Sequence, residues 1–150
     1  MTDGIWLSLD ALIADREARR AEERKEQAAE RERKREAAKA FAEAFNAYRL
    51  TDDDREAIMR KIAKAFADGE KELMLFSFPS ELCSDGGRRV NHRLEGWEES
   101  LPGAARRVFE FWRDDLQPRG FLFSAAIISY PDGMPGDVGV FFSWPKEVEV

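Results

Sequence analysis

The sequence predicts an α+β protein: a long N-terminal charged helix followed by a small α-β-α-β-β domain with a three-stranded mixed sheet. Three observations carry that expectation. Residues 16–39 contain no Gly, no Pro, no β-branched residue and no large apolar side chain. Two later segments, 52–68 and 101–116, repeat apolar residues at helical spacing. Three apolar runs, 71–78, 121–130 and 138–144, are bounded by Pro or Gly and read as strands.

The charged run needs a helix rather than a core. It holds ten Lys or Arg against seven Glu, with Ala and one Gln filling the rest. Glu precedes a base by three in Glu17 with Arg20, Glu22 with Lys25, Glu30 with Arg33, Glu32 with Arg35 and Glu36 with Lys39. Each exposed pair is worth only ~0.2–0.5 kcal/mol, but with Ala-rich propensity they support the helix locally. Helix-favouring residues continue without a breaker to about residue 49, roughly 60 Å at 1.5 Å per residue. A body of about 100 residues has a radius of gyration near ~13 Å, so an unbroken helix would overhang it. We therefore divide the chain into an arm, 1–49, and a body, 50–150.

The arm begins with apolar residues: Ile5, Trp6, Leu7, Leu9, Leu12 and Ile13, with Ser8 or Asp10 placed to cap the helix. At the other end Phe41, Phe45 and Tyr48 recur at i, i+4, i+7 and mark where the helix meets the body. Thr51 and Asp54 form a capping-box variant that opens the next helix, and Gly69 suits its C-terminal end. Residues 71–78 read as a strand ended by Pro79. Ser100 is placed to cap the following helix, whose buried face is Leu101, Ala105, Val108, Trp112 and Leu116. The runs 121–130 and 138–144, joined across 131–137, read as an antiparallel hairpin. The first two strands read as parallel neighbours with a helical crossover. Two body helices cannot cover both faces of the sheet, which leaves part of one face for another segment or a partner.

Composition narrows the function classes. The chain has 150 residues, a net charge of −6, one Cys and one His. A disulfide within the chain and a Cys-rich or multi-His metal site are excluded. No cofactor or metal is expected. Residues 40–150 carry fourteen bases against twenty acids, which argues against a broad nucleic-acid face. The N-terminus lacks the basic and long apolar regions of a signal peptide, and no run approaches ~18 apolar residues. The expectation is a cytoplasmic protein with no membrane span.

Two places invite a functional reading. The first is the breaker-rich connection 79–99, which holds the only Cys and the only His. Nucleophilic catalysis would use Cys83 as nucleophile, His92 as base and Asp85 to orient it. These are weak catalytic candidates, because nothing in the spacing brings the side chains together. An anion site would use backbone N–H groups at Gly86 and Gly87 with the charges of Arg88 and Arg89. The motif is neither a P-loop nor GxGxxG. A tight turn with its Arg side chains paired to neighbouring acids is the plainer reading. The second place is the apolar tip. Ile5, Trp6, Leu9, Leu12 and Ile13 in water would be a sticky end, and a helix of this kind docks into apolar grooves. The leading expectation is a non-enzymatic interaction protein that binds a protein partner, or a second copy, through its N-terminal helix.

Overall fold

The computed structural model describes residues 6–145; Ile5 lies outside the described residues. Helix α1 spans Leu9–Ala47 and α2 spans Asp52–Ala67. Strand β1 is Glu72–Pro79, the short helix α3 is Arg88–His92, and α4 is Gly103–Phe111. Strands β2, Leu122–Ile127, and β3, Asp137–Ser143, complete the chain. It is an α+β protein with one three-stranded sheet.

The chain forms two compact units, Met1–Phe41 and Ala42–Val150. The division falls inside α1, earlier than the sequence boundary at 49. The reason is Phe45. It is buried, and its ring sits 5.1 Å from that of Phe78 and 5.9 Å from that of Phe76. The last turns of α1 therefore contribute to the core of the second unit. In the first unit every described residue is exposed. Its helix starts where Ser8 Oγ accepts from the Ala11 N–H at 3.3 Å. Local ion pairs follow, including Asp15 with Arg19 at 2.8 Å and Glu32 with Arg35 at 3.0 Å.

Helix α2 opens as its sequence requires. Thr51 Oγ1 accepts from the Asp54 N–H at 3.1 Å, and the Asp54 carboxylate accepts from the Thr51 N–H at 3.0 Å. Tyr48 donates its hydroxyl proton to the same carboxylate at 2.7 Å, which closes the connection between α1 and α2. Ile58, Ile62 and Ala65 bury the face toward the sheet.

The sheet is antiparallel throughout, not mixed. Its order is β1-β3-β2, so the last strand in sequence lies in the middle. β1 and β2 do run parallel, but each pairs only with β3. Val138, Val140 and Phe142 of β3 are completely buried. Their cross-strand neighbours on the core face are Phe78, Phe76 and Leu73 on one side and Ile127, Ala125 and Phe123 on the other. Burying β3 this fully requires a strand on each edge, which a parallel β1–β2 pair would not supply.

Helix α4 is shorter than its apolar period suggests. Its N-cap position is Pro102, and Ser100 instead closes a 3-10 turn, Trp97–Ser100, by donating to Trp97 O at 2.6 Å. After Phe111 the helix widens into a π turn, Trp112–Leu116, and then a 3-10 turn, Gln117–Arg119. The widened turn satisfies the start of β2. Trp112 Nε1 donates to Phe121 O at 2.9 Å, and the Phe121 N–H donates to Leu116 O at 3.3 Å.

Gly103 lets α4 approach the end of α1. A Cβ there would press on the carbonyl of Phe45 and lie 2.7 Å from Asn46 Cα, both of them backbone that cannot yield. Gly103→Ala should therefore destabilise the protein by about 2 kcal/mol more than Gly69→Ala, where φ is also positive but space is open. Chemical denaturation of the two variants checks this.

Candidate functional site

The 79–99 connection is not irregular. Ser80–Leu82 forms a 3-10 turn, α3 follows, and the Trp97–Ser100 turn closes it. Tertiary bonds hold these pieces. Ser80 donates its N–H to Gly136 O at 2.9 Å and its hydroxyl to Pro135 O at 3.2 Å. The Ser84 N–H donates to Ser100 O at 3.1 Å. Gly87 has φ +89 and packs so closely that a Cβ would lie 2.8 Å from Ser80 Cβ. The segment is a folded part of the body.

The three catalytic candidates are not joined by hydrogen bonds. Cys83 is buried, and its thiol is pushed up to about 11, chiefly by burial. The nearby Asp85 carboxylate adds to the rise, and a Ser100 hydrogen bond opposes it. Such a thiol is neutral at physiological pH and is a poor nucleophile. Asp85 spends its carboxylate on the start of α3, accepting from the N–H groups of Gly87 and Arg89, each at 3.0 Å. Partial burial pushes its pKa upward, but those two N–H groups and the Arg89 guanidinium overcome it, so the carboxyl titrates below its usual range. His92 is exposed, and neither Cys83 nor Asp85 hydrogen-bonds to it. The proposed Cys83–His92–Asp85 relay has no hydrogen-bonded link.

The anion candidates are changed by the same carboxylate. Gly86 and Gly87 do take left-handed backbone, φ +70 and +89. The N–H groups of Gly87 and Arg89 are already turned toward Asp85, and the Gly86 N–H donates to Cys83 O at 3.1 Å. Arg89 is half-buried, its Nε 3.8 Å from Asp85 and its guanidinium donating to Gly96 O at 3.4 Å. Arg88 is exposed. The island of positive charge thus carries its own counter-ion.

At the N-terminus, Trp6, Leu7 and Leu9 are 77%, 80% and 71% exposed, and Leu12 and Ile13 are exposed as well. Leu9, Leu12 and Ile13 stand at i, i+3 and i+4 and so share one face of α1.

Two further features were not foreseen residue by residue. All the helices that touch the sheet lie on its core face, and the other face carries Met74, Leu122 and Ile128, all exposed, around the half-buried Phe141. The run 121–130 is apolar at nearly every position, so its alternation could not reveal which side chains lie outside. A cleft of about 330 Å³ opens beside α4, lined by Arg49, Arg55, Arg107, Glu110, Phe111, Asp114 and Asp115. Its three cations come from the α1–α2 connection, α2 and α4, which leaves no local motif. Arg107 lies 3.6 Å from Glu110, and Arg55 lies 3.2 Å from Asp52 with its guanidinium 5.9 Å above the Phe111 ring. Acids balance bases there, so the cleft has no field that selects an anion. Among the described residues no cluster of His, Cys, Asp and Glu could hold a metal ion, and no helix is long and apolar enough to cross a membrane.

The chain matches no protein-family model, and neither the curated proteins nor the solved structures contain a significant match to it.

The thiol gives a direct check on this geometry. Because its native pKa lies above that of a free cysteine, the folded state keeps the proton that the unfolded state loses. The associated stability is complete below about pH 9 and is lost as pH rises toward 11. Labelling of Cys83 by a disulfide reagent at pH 8 should be at least about tenfold slower than that of an exposed thiol, and should speed up with denaturant. Asp85→Ala should cost about 1 kcal/mol at neutral pH through loss of the α3 cap. That difference should shrink as acid protonates Asp85 in the parent protein, which denaturation curves across the acid range will show.

Proposed function

We propose that this chain is a non-enzymatic interaction protein, with the N-terminal helix as its docking element for a protein partner or a second copy. The observation that carries the reading is the exposure of Trp6, Leu9, Leu12 and Ile13 at the start of a helix whose next two dozen residues are charged or small. A solvated helix of Glu, Lys, Arg and Ala has no apolar surface of its own on which to bury a tryptophan. A partner groove that accepts an i, i+3, i+4 face supplies it, and Trp with aliphatic neighbours is the residue set that dominates such contacts. The charged run then acts as a spacer. Its net charge is only +3, and the Ala residues among its charges bury too little surface for strong helix pairing.

An adaptor role also agrees with a body whose only thiol is protonated and whose only histidine is solvated. A free, reduced cysteine suits the cytoplasm.

The test compares the full chain with L9D/L12D and W6A. Both variants should keep the far-UV circular dichroism and the melting temperature of the body, because these side chains contribute nothing to its core. Binding to the captured partner, or self-association if the partner is a second copy, should weaken roughly tenfold or more. Equal capture and equal mass by light scattering for all three proteins would sink the reading.

A further inference from the structure

Among the described residues the sheet has two free edges, since β1 and β2 each pair only with β3. They are built differently. β1 carries devices that keep an edge single: a bulge between Met74 and Phe76, Pro79 without an N–H, and the charged residues Lys71 and Glu72 at its start. β2 carries none of them. Residues 121–130, FLFSAAIISY, contain no charge and no proline.

The register says which backbone groups of β2 face outward. The Ser80 N–H donates to Gly136 O, and the Ile128 N–H donates to Asp137 O at 2.8 Å. Even-numbered residues of β3 therefore bond toward β1 and odd-numbered ones toward β2, where their partners are Leu122, Ser124 and Ala126. Phe123, Ala125 and Ile127 turn their N–H and C=O groups to the free edge. Among the described residues nothing bonds to those groups. Phe121, next in the same series, is already satisfied by Leu116 and Trp112. The open stretch is thus short and has a defined end.

We propose that β2 pairs antiparallel with β2 of a second copy, about a two-fold axis at Ala125, joining two three-stranded sheets into one of six strands. Only this register uses all three outward residues of both copies: Phe123 faces Ile127 of the second copy, Ala125 faces itself, and Ile127 faces Phe123. It is also self-complementary in side chains. On the open face Leu122, 48% exposed, comes opposite Ile128 of the second copy, 43% exposed, and this happens twice. Ser124 comes opposite Ala126. No like charges meet anywhere along the pair. That match belongs to this strand and its own copy, which is why the occupant is a second copy rather than an arbitrary extended peptide. The contact is small, below about 1,200 Å² in total, so the dimer is concentration-dependent.

The surface is independent of the N-terminal tip, and the experiment separates them. Light scattering of the full chain should show the mass doubling as concentration rises. Amide hydrogen exchange should slow at Phe123, Ala125 and Ile127 over the same range, and stay unchanged at Ser124 and Ala126, which already bond to β3. S124K/A126K sets lysines against lysines across the axis and should raise the dissociation constant at least about tenfold. S124K/A126E sets opposite charges across the same axis and should restore pairing. L9D/L12D should leave it untouched. Any one of the following overturns the proposal: a monomer at every concentration, a dimer with unchanged exchange at the three outward amides, no recovery in S124K/A126E, or a dimer abolished by L9D/L12D.

Discussion

The rest of the body depends on the burial of β3. Val138, Val140 and Phe142 have no exposed surface, and their backbone is bonded on both sides. A strand in that position needs a neighbour on each edge and a lid of helices on one face. β1 and β2 supply the edges. α2, α4 and the end of α1 supply the lid, through Ile58, Ile62, Val108, Phe111 and Phe45. Because β3 comes last in the chain, both pairings close over long sequence separations, and the sheet forms only once the C-terminal strand is inserted. Everything that looks idiosyncratic elsewhere adjusts to that insertion. The bulge in β1 and the π turn after α4 fit their neighbours to the sheet, and the glycine contact at Gly103 lets α4 pack against the end of α1.

The region between β1 and α4 illustrates how apparent chemistry can be structural. A lone Cys, a lone His, one Asp, two Arg and a Gly pair sit within ten residues of one another. Folding separates their roles. Cys83 becomes a small apolar core residue, Asp85 caps a five-residue helix, and Arg89 neutralises that carboxylate. His92 is left in water. A reactive centre requires the opposite arrangement: an ionised nucleophile and a base that share a hydrogen bond.

Local physics explains which parts of the fold were legible in the sequence. The capping box at Thr51 and Asp54 is closed by atoms three residues apart, so the start of α2 could be read directly. The three strands were bounded by Pro and Gly and fell within one or a few residues of their predicted ends. The strand order could not be read, because pairing Phe123 and Phe78 to opposite sides of β3 is decided by contacts distant in sequence. α3 was hidden for a related reason: five residues carry no period, and its cap comes from a turn fixed by Ser80 and Ser100. The exposure of Trp6 and Leu9 followed from the absence of any apolar neighbour in the charged run. The cleft at Arg49, Arg55 and Arg107 had no sequence signal, since residues far apart in the chain build it.

One consequence of the charged helix concerns how the molecule responds to heat. From Leu9 to Ala40 the helix has no buried residue, and hydrogen bonds along its own axis and weak surface ion pairs support it. Such a helix frays progressively and without a sharp midpoint. The sheet and its helices, sharing one core, come apart together. The same polypeptide therefore combines two kinds of transition, one graded and sensitive to ionic strength, the other abrupt and nearly indifferent to it. A single melting temperature would describe only the second.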